Sequence, residues 1–284
     1  MSPSTPASDI RPAALAGTWY PDDATQLARS IDRYIDQAET APIPGRVIGV
    51  VAPHAGHRYS GAVAGHAFKP VRGLGADVVV LIGPSHYPYR GQVLTTGYSA
   101  YATPLGTVPV ATDLIESLSR EVPLTAVRND QEHSIENLLP FIIRADDGVR
   151  LLPLMLVDQS LAMAETLGRA LGALLQGQNA LLVASSDLSH YYPQGVANQL
   201  DATMLSEIEA FDAAGVIRAE DEGRGYACGR GAIATVMIAA QALGADSARV
   251  VGYATSGDVT GDYGQVVGYG AAVFYASGHR SAAA

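Results

Sequence analysis

The chain has a single cysteine, Cys228, among its 284 residues, which excludes an intramolecular disulfide. It has no run of lysine and arginine, and 18 basic against 28 acidic residues give a formal net charge of −10, so we expect no nucleic-acid partner. No apolar run reaches the roughly 18 residues of a membrane span, and the first nine residues lack the pattern of a signal peptide. We therefore predict a cytoplasmic protein that has no contact with a membrane.

Apolar residues make up 48% of the chain and charged residues 16%, a balance that supports a large core. Strand-like apolar runs alternate with segments of helical spacing. The predicted helices are 24–38, 61–68, 112–120, 160–175, 197–211 and 231–243, and the predicted strands are 47–52, 78–83, 92–96, 151–157, 180–186, 249–255 and 266–275. We predict one domain over 11–276, an α/β/α three-layer sandwich with a central mixed sheet, between a flexible segment 1–10 and a disordered tail 277–284.

Three of the strand-like runs lead into a histidine: His54, His86 and His190. Open α/β sheets bind ligands beyond the carboxyl ends of their strands, so these imidazoles could share one crevice. Neutral imidazole is a common ligand of Zn, Fe and Cu, which makes His54 and His86 a plausible half of a metal site. For any one of them, a hydrogen bond to a loop carbonyl is the competing interpretation.

Asp187 precedes His190 by three residues. If the turn after the strand is helical, both fall on one face, where the carboxylate can orient the imidazole as a general base. The alternative is that Asp187 only caps the helix that follows.

Cys228 lies just before an apolar helix and two residues before Arg230. A helix N-terminus and a nearby cation both lower the pKa of a thiol, so we expect a reactive or metal-binding thiolate. The alternative is a small buried side chain.

Two further segments carry candidate residues around a cleft. Glu132 and His133 open a segment that could supply a carboxylate behind a ligand, although Asp130 could instead cap a short helix there. Trp19 could form an aromatic wall over the cleft.

Taken in order, six motifs resemble the Memo family, including the bacterial members called AmmeMemoRadiSam system protein B. They are 16–21 (AGTWYP), 53–56 (PHAG), 83–86 (GPSH), 132–136 (EHSIE), 185–190 (SSDLSH) and 228–230 (CGR). The resemblance spans the chain from about Arg11 to Tyr275. The family is similar in fold to the class III extradiol dioxygenases of LigB type, so the resemblance implies a LigB-like sandwich.

By this resemblance, His54 and His86 are two ligands of Fe(II), and Cys228 stands where the dioxygenases have a carboxylate. His190 becomes the acid/base residue, oriented by Asp187. Because a thiolate is a soft ligand, Cu or Zn are the alternative metals.

The resemblance implies a non-haem iron oxidoreductase of dioxygenase type acting on a small phenolic or enolic molecule or a peptide. A second hypothesis is a metal-handling or peptide-binding adaptor without turnover, which works with radical-SAM and AMMECR1-like partners. A third, taken from the residues alone, is a cysteine hydrolase that pairs Cys228 with His190 or His133.

Overall fold

The computed structural model describes residues 9–278. Its strands are β1 (Ile10–Arg11), β2 (Arg46–Ala52), β3 (Val78–Pro84), β4 (Val93–Thr96), β5 (Ala100–Thr103), β6 (Gly106–Pro109), β7 (Leu124–Val127), β8 (Arg150–Leu156), β9 (Ala180–Ser185), β10 (His190–Tyr192), β11 (Ser247–Thr255) and β12 (Val266–Ala276). Its helices are α1 (Ala24–Gln37), α2 (His57–Phe68), α3 (Thr112–Leu118), α4 (His133–Glu136), α5 (Leu139–Ala145), α6 (Leu161–Leu174), α7 (Gln194–Glu209), α8 (Ala213–Asp221), α9 (Arg230–Ala242) and α10 (Gly257–Thr260).

The main sheet has the strand order β10-β12-β2-β9-β3-β8-β4-β7, with β11 paired to β12. Its centre, β2-β9-β3-β8, is parallel, whereas β12 runs antiparallel to β2 and β4 antiparallel to β8. A small separate sheet has the order β1-β5-β6. The central sheet is therefore mixed, as the sequence predicts.

Helices cover both faces of this sheet, because its central strands are apolar on both sides. In β3, Val80 and Ile82 face a core formed with α6, α7, α8 and α9, whereas Val79 and Leu81 face a second core formed with α1, α2 and α5. This alternation is the two-residue period of a strand. The predicted three-layer α/β/α sandwich is confirmed.

Helix α1 starts where the sequence supplies a cap. The Asp23 carboxylate accepts a hydrogen bond from the Gln26 amide at 2.7 Å and so caps α1. Leu27, Ile31 and Ile35 then repeat at helical spacing and are buried in the core on the side of α2 and α5. Helix α1 ends at Gln37, one residue before the predicted end at Ala38.

Within the predicted flexible segment 1–10, Ile10 pairs with Ala100 in the small sheet. The first eight residues lie outside the described part, as do the last six of the predicted tail, 279–284. Ser277 donates its amide proton to Asp246, 2.9 Å away. Between residues 9 and 278, no helix has both the length and the apolar character needed to cross a bilayer. The single domain over 11–276 stays a prediction.

Candidate metal centre

Three neighbouring parallel strands place the candidate residues at one edge of the sheet. Strand β9 lies between β2 and β3, and all three run in the same direction. His54 follows the end of β2, His86 follows the end of β3, and Asp187 follows the end of β9. The carboxyl ends of these strands therefore bring residues that are distant in sequence into one place.

His54 is 1% exposed, and its ring is fixed by a hydrogen-bond chain. Nδ1 lies 2.8 Å from Ser185 Oγ, and the Ser185 hydroxyl donates to the Ser134 carbonyl at 2.5 Å. Because that hydroxyl proton is already used, Ser185 Oγ accepts from His54, and Nδ1 carries the ring proton. Burial lowers the pKa of His54, with further lowering from His133. The neutral ring therefore presents the lone pair of Nε2.

His86 is fixed in the same way by a carboxylate. Its backbone amide donates to Glu132 Oε2 at 2.6 Å, and Nδ1 lies 2.8 Å from Glu132 Oε1. Although burial opposes it, hydrogen bonding from His86 lowers the pKa of Glu132 to about 2, so this carboxylate is ionised. Nδ1 is thus the donor, and Nε2 is again the atom that remains for a ligand.

The thiol of Cys228 completes the group, in the turn that precedes α9. Sγ lies 3.4 Å from His54 Nε2 and accepts a hydrogen bond from the Asp187 amide at 3.3 Å. The ligand atoms of His54, His86 and Cys228 all lie within 4.8 Å of one another. Two imidazole nitrogens and one sulfur suit a transition metal, so these residues fit the expected ion.

The expected low pKa of the Cys228 thiol is wrong for the thiol in these surroundings. Burial raises its pKa well above the ordinary value, and the nearby Asp187 carboxyl adds to the rise. Arg230 does not offset this effect, because its guanidinium pairs with Asp221 at 2.6 Å and Glu220 at 3.7 Å. The thiol is therefore protonated at neutral pH before a metal ion displaces its proton.

His133 and Trp19 lie in the same cluster. The His133 ring stacks on His86 at 4.2 Å between centroids, and the Trp19 ring lies 4.6 Å from that of His133. Glu132 Oε1 lies 3.5 Å from His133 Nδ1, so one carboxylate faces both imidazoles. Burial, with His86, lowers the pKa of His133 to about 4. His86, Glu132 and His133 form a second group whose atoms could hold an ion.

Asp187 and His190 differ from their predicted arrangement. Residues 186–189 are not helical, and His190 begins strand β10, which pairs with β12. The Asp187 carboxylate instead accepts from the backbone amides of His54 at 2.8 Å and Ala55 at 3.3 Å. Asp187 therefore holds the strand end that carries His54, and the predicted orientation of the His190 ring by a helical turn is wrong.

His190 nevertheless lies near the cluster, because, in addition to burial, its charge contributes to lowering the pKa of His54 and of His133. Its ring lies 5.4 Å from that of Tyr226. Burial lowers its pKa to about 4, and His86 contributes to the shift. Burial raises the pKa of Asp187 to about 7. The side chains that support the proposed ligands, Ser185 among them, are thus neutral or buried.

Several supporting residues were not identified from the sequence: Ser185, Ser134, Arg11 and Asn137, whose side-chain amide donates to the His54 carbonyl at 2.6 Å. Ser185 sits at a strand end beside Asp187, and that position was the available signal. The expected helix cap Asp130 is replaced by Glu132, which accepts from the amides of His133 and Ser134.

The fold and this cluster define an α/β protein with a candidate metal centre of two histidines and one cysteine. A family model described as Memo-like protein matches residues 11–273. A MEMO1 family protein of Methanopyrus kandleri is 36% identical over 280 residues, which cover 93% of this chain and 98% of that protein. Another, of Nitrosopumilus maritimus, is 34% identical over 276 residues, covering 93% and 99%. The chain belongs to the Memo family, as the sequence motifs predict.

A solved structure of an uncharacterized protein, JW3007 of Escherichia coli K12, aligns with 80% of this chain and all of that chain. The alignment has a TM-score of 0.46 and 15% sequence identity. The family assignment rests on the family model and the nearly full-length relatives.

Proposed function

We propose that this protein is a metal-dependent oxidoreductase of dioxygenase type, with Fe(II) held by His54, His86 and Cys228. The observation that carries the proposal is the convergence of these three ligand atoms within 4.8 Å at one sheet edge. Ser185 and Glu132 support it, because each accepts a hydrogen bond from Nδ1–H of one histidine and leaves Nε2 for the metal.

Bound Fe(II) would supply the redox chemistry that joins O₂ to an electron-rich substrate. The chain's own part is to position the substrate and to move a proton. His190 is the candidate residue that accepts and moves this proton, because burial lowers its pKa to about 4 and the ring is neutral at pH 7. The proposed substrate is a small phenolic or enolic molecule or a peptide, and the proposed location is the cytoplasm.

The metal assignment is tested by elemental analysis of protein purified without a metal-affinity step, followed by anaerobic Fe(II) titration. We expect one ion per chain in the wild-type protein and its loss in Cys228→Ala and His54→Ala. The matched control is His66→Ala, because the His66 ring lies elsewhere, with Nδ1 3.2 Å from Thr40 Oγ1. Full retention of iron by Cys228→Ala would contradict the ligand assignment.

Turnover is tested separately by oxygen uptake over a panel of phenols and enols. We expect uptake to fall at least about 100-fold in His190→Ala, as for loss of a general acid/base residue, while iron stays bound. Uptake that is unchanged in this variant would contradict the role of His190. Ester or peptide hydrolysis that survives removal of the metal by a chelator would instead favour a cysteine hydrolase.

A second candidate function is metal handling without turnover, together with radical-SAM and AMMECR1-like partners. The thiol of Cys228 favours it, because a soft sulfur ligand beside two imidazoles suits Cu or Zn. In that case the protein purified without a metal-affinity step carries Cu or Zn, no panel compound consumes O₂ after Fe(II) loading, and the partners co-purify with the protein. Oxygen uptake that depends on His190 would exclude this candidate.

A further inference from the structure

Arg11 is a buried cation beneath the metal centre. Among residues 9–278 it is the only arginine or lysine that is fully buried, with 2% of its surface exposed. Its Nη2 lies 2.9 Å from Asp130 Oδ1, and its Nη1 lies 2.5 Å from Glu136 Oε2. Both carboxylates are themselves buried. One guanidinium thus joins strand β1 to two points of the segment 130–136.

This guanidinium also fixes the peptide groups around Glu132. Arg11 Nη2 donates to the Glu132 carbonyl at 3.1 Å, and Asp130 Oδ1 accepts from the Glu132 amide at 3.2 Å. The Glu132 carboxylate in turn holds His86 through both its backbone amide and Nδ1. A continuous set of hydrogen bonds therefore runs from Arg11 through Glu132 to a proposed ligand.

The Glu136 carboxylate forms a second branch. Its Oε1 accepts from the Leu15 amide and from the Tyr20 hydroxyl, each at 2.8 Å. Leu15 and Tyr20 bracket the turn that carries Trp19, whose ring packs on His133. The same network thus sets the position of the aromatic side chain over the cluster.

A purely stabilising role explains this network poorly. Apolar residues of similar volume hold a fold as well as a buried ion pair does, and often better, whereas an ion pair with a planar fork imposes one geometry. The parts that Arg11 holds are the two chain segments that carry Glu132, His133 and Trp19.

We infer that Arg11 is a positioning residue of the metal centre, acting on His86 through Glu132. This inference rests on the proposed metal function. The Arg11 fork sets the angle at which the Glu132 carboxylate receives Nδ1–H of His86, and so the direction of His86 Nε2. Removal of a support behind a metal ligand typically lowers metal affinity by about 10–100-fold.

The test is anaerobic Co(II) titration of the full chain, read from the ligand-field and thiolate-to-metal charge-transfer bands. Because Arg11 lies behind the direct support Glu132, we expect Arg11→Met to weaken Co(II) binding by up to about tenfold, the lower end of that range, and to change the ligand-field bands of the complex that still forms. Arg11→Lys keeps the charge but not the fork, so it should restore only part of the affinity. The matched control is Arg150→Met, which removes an exposed pair with Asp113 and should bind as the wild-type protein does.

Circular dichroism and the melting temperature separate lost folding from lost positioning. If Arg11→Met does not fold, Asp130→Asn replaces it, because the amide keeps the shape and one acceptor oxygen while it removes the charge that orients the fork. If the variant that folds keeps the wild-type Co(II) affinity and absorption bands, the inference about Arg11 is overturned and the proposed function stands. Failure of the wild-type protein to bind Co(II) would overturn the proposed function, and the inference with it.

Discussion

The Nε2 atom of His54 lies 3.4 Å from the Sγ atom of Cys228, although 174 residues separate them along the chain. Because the ring proton of His54 is on Nδ1, the thiol is the donor and its proton lies between the two atoms. A metal ion and this proton compete for the same lone pairs. Metal binding by this pair is therefore linked to pH.

Metal binding should release a proton from Cys228. Burial raises the pKa of the thiol, so the folded protein carries this proton at pH 7, and ligation removes it. As the pH rises toward that pKa, we expect the metal affinity to rise by up to about tenfold for each pH unit. Isothermal titration calorimetry with Zn²⁺ in buffers of different ionisation enthalpy measures the number of protons released for each ion bound. We expect a value near one; a value near zero in the wild-type protein would argue against thiolate ligation.

Ser185→Ala tests the support behind His54. The substitution removes the acceptor of the Nδ1 proton and leaves a buried donor without its partner. We expect metal affinity to fall by about 10–100-fold, and the free energy of unfolding by about 1–3 kcal/mol. Competition with a chelator measures the affinity, and urea unfolding measures the stability. Thr166→Ala, on an exposed face of α6, is the control that should change neither.

Gly229→Ala tests the close approach of the cysteine turn to the sheet. A Cβ at this position would lie 2.6 Å from the Ser185 carbonyl oxygen and 2.9 Å from Ser186 Cβ. Because strand β9 cannot easily move, the turn that carries Cys228 has to shift, and the thiol with it. We expect weaker metal binding and a loss of about 1–3 kcal/mol of stability by unfolding in urea.

The control for that variant is Gly195→Ala in α7, where a Cβ would meet nothing within 4 Å. It should keep wild-type metal binding, and alanine in a helix should leave stability unchanged or slightly higher. Equal metal affinity in both variants would show that the turn has more room than the structure gives it.

The sequence predicted the layers well, because period-two and helical patterns depend on local residues. The runs ending at His54 and His86 are apolar on both faces, which indicates parallel strands buried between helices. Their shared sheet edge follows from topology rules for parallel strands. Strand order was not predicted, and so neither was the position of β9 between β2 and β3.

The partners within the site were predicted less well, because they depend on side-chain directions after chain turns. The spacing of Asp187 and His190 suggests one helical face, but the backbone between them is not helical and the carboxylate binds the His54 amide instead. The direction of the pKa shift of Cys228 was predicted wrongly. The position before a helix can be read from the local sequence, whereas burial is set by the whole fold.

Asp201 should make stability depend on pH in a way that Asp201→Asn removes. This carboxyl is fully buried, and burial raises its pKa. A raised pKa in the folded state contributes stability that is present below the unfolded pKa, about 3.9, and is lost as the pH rises through the folded value. We expect wild-type stability to fall relative to Asp201→Asn as the pH rises above about 4, as measured by urea unfolding. A difference that does not change with pH would contradict the raised pKa.

Trp19 should report metal binding by its fluorescence. It is the only tryptophan in the chain, and its ring lies 4.6 Å from that of His133, which stacks on His86. An open-shell ion held by His86 therefore lies close enough to quench the indole. We expect Cu²⁺ or Co²⁺ to quench the emission and closed-shell Zn²⁺ to leave most of it. In His86→Ala the quenching by Cu²⁺ should disappear; quenching that persists in this variant would place the ion elsewhere.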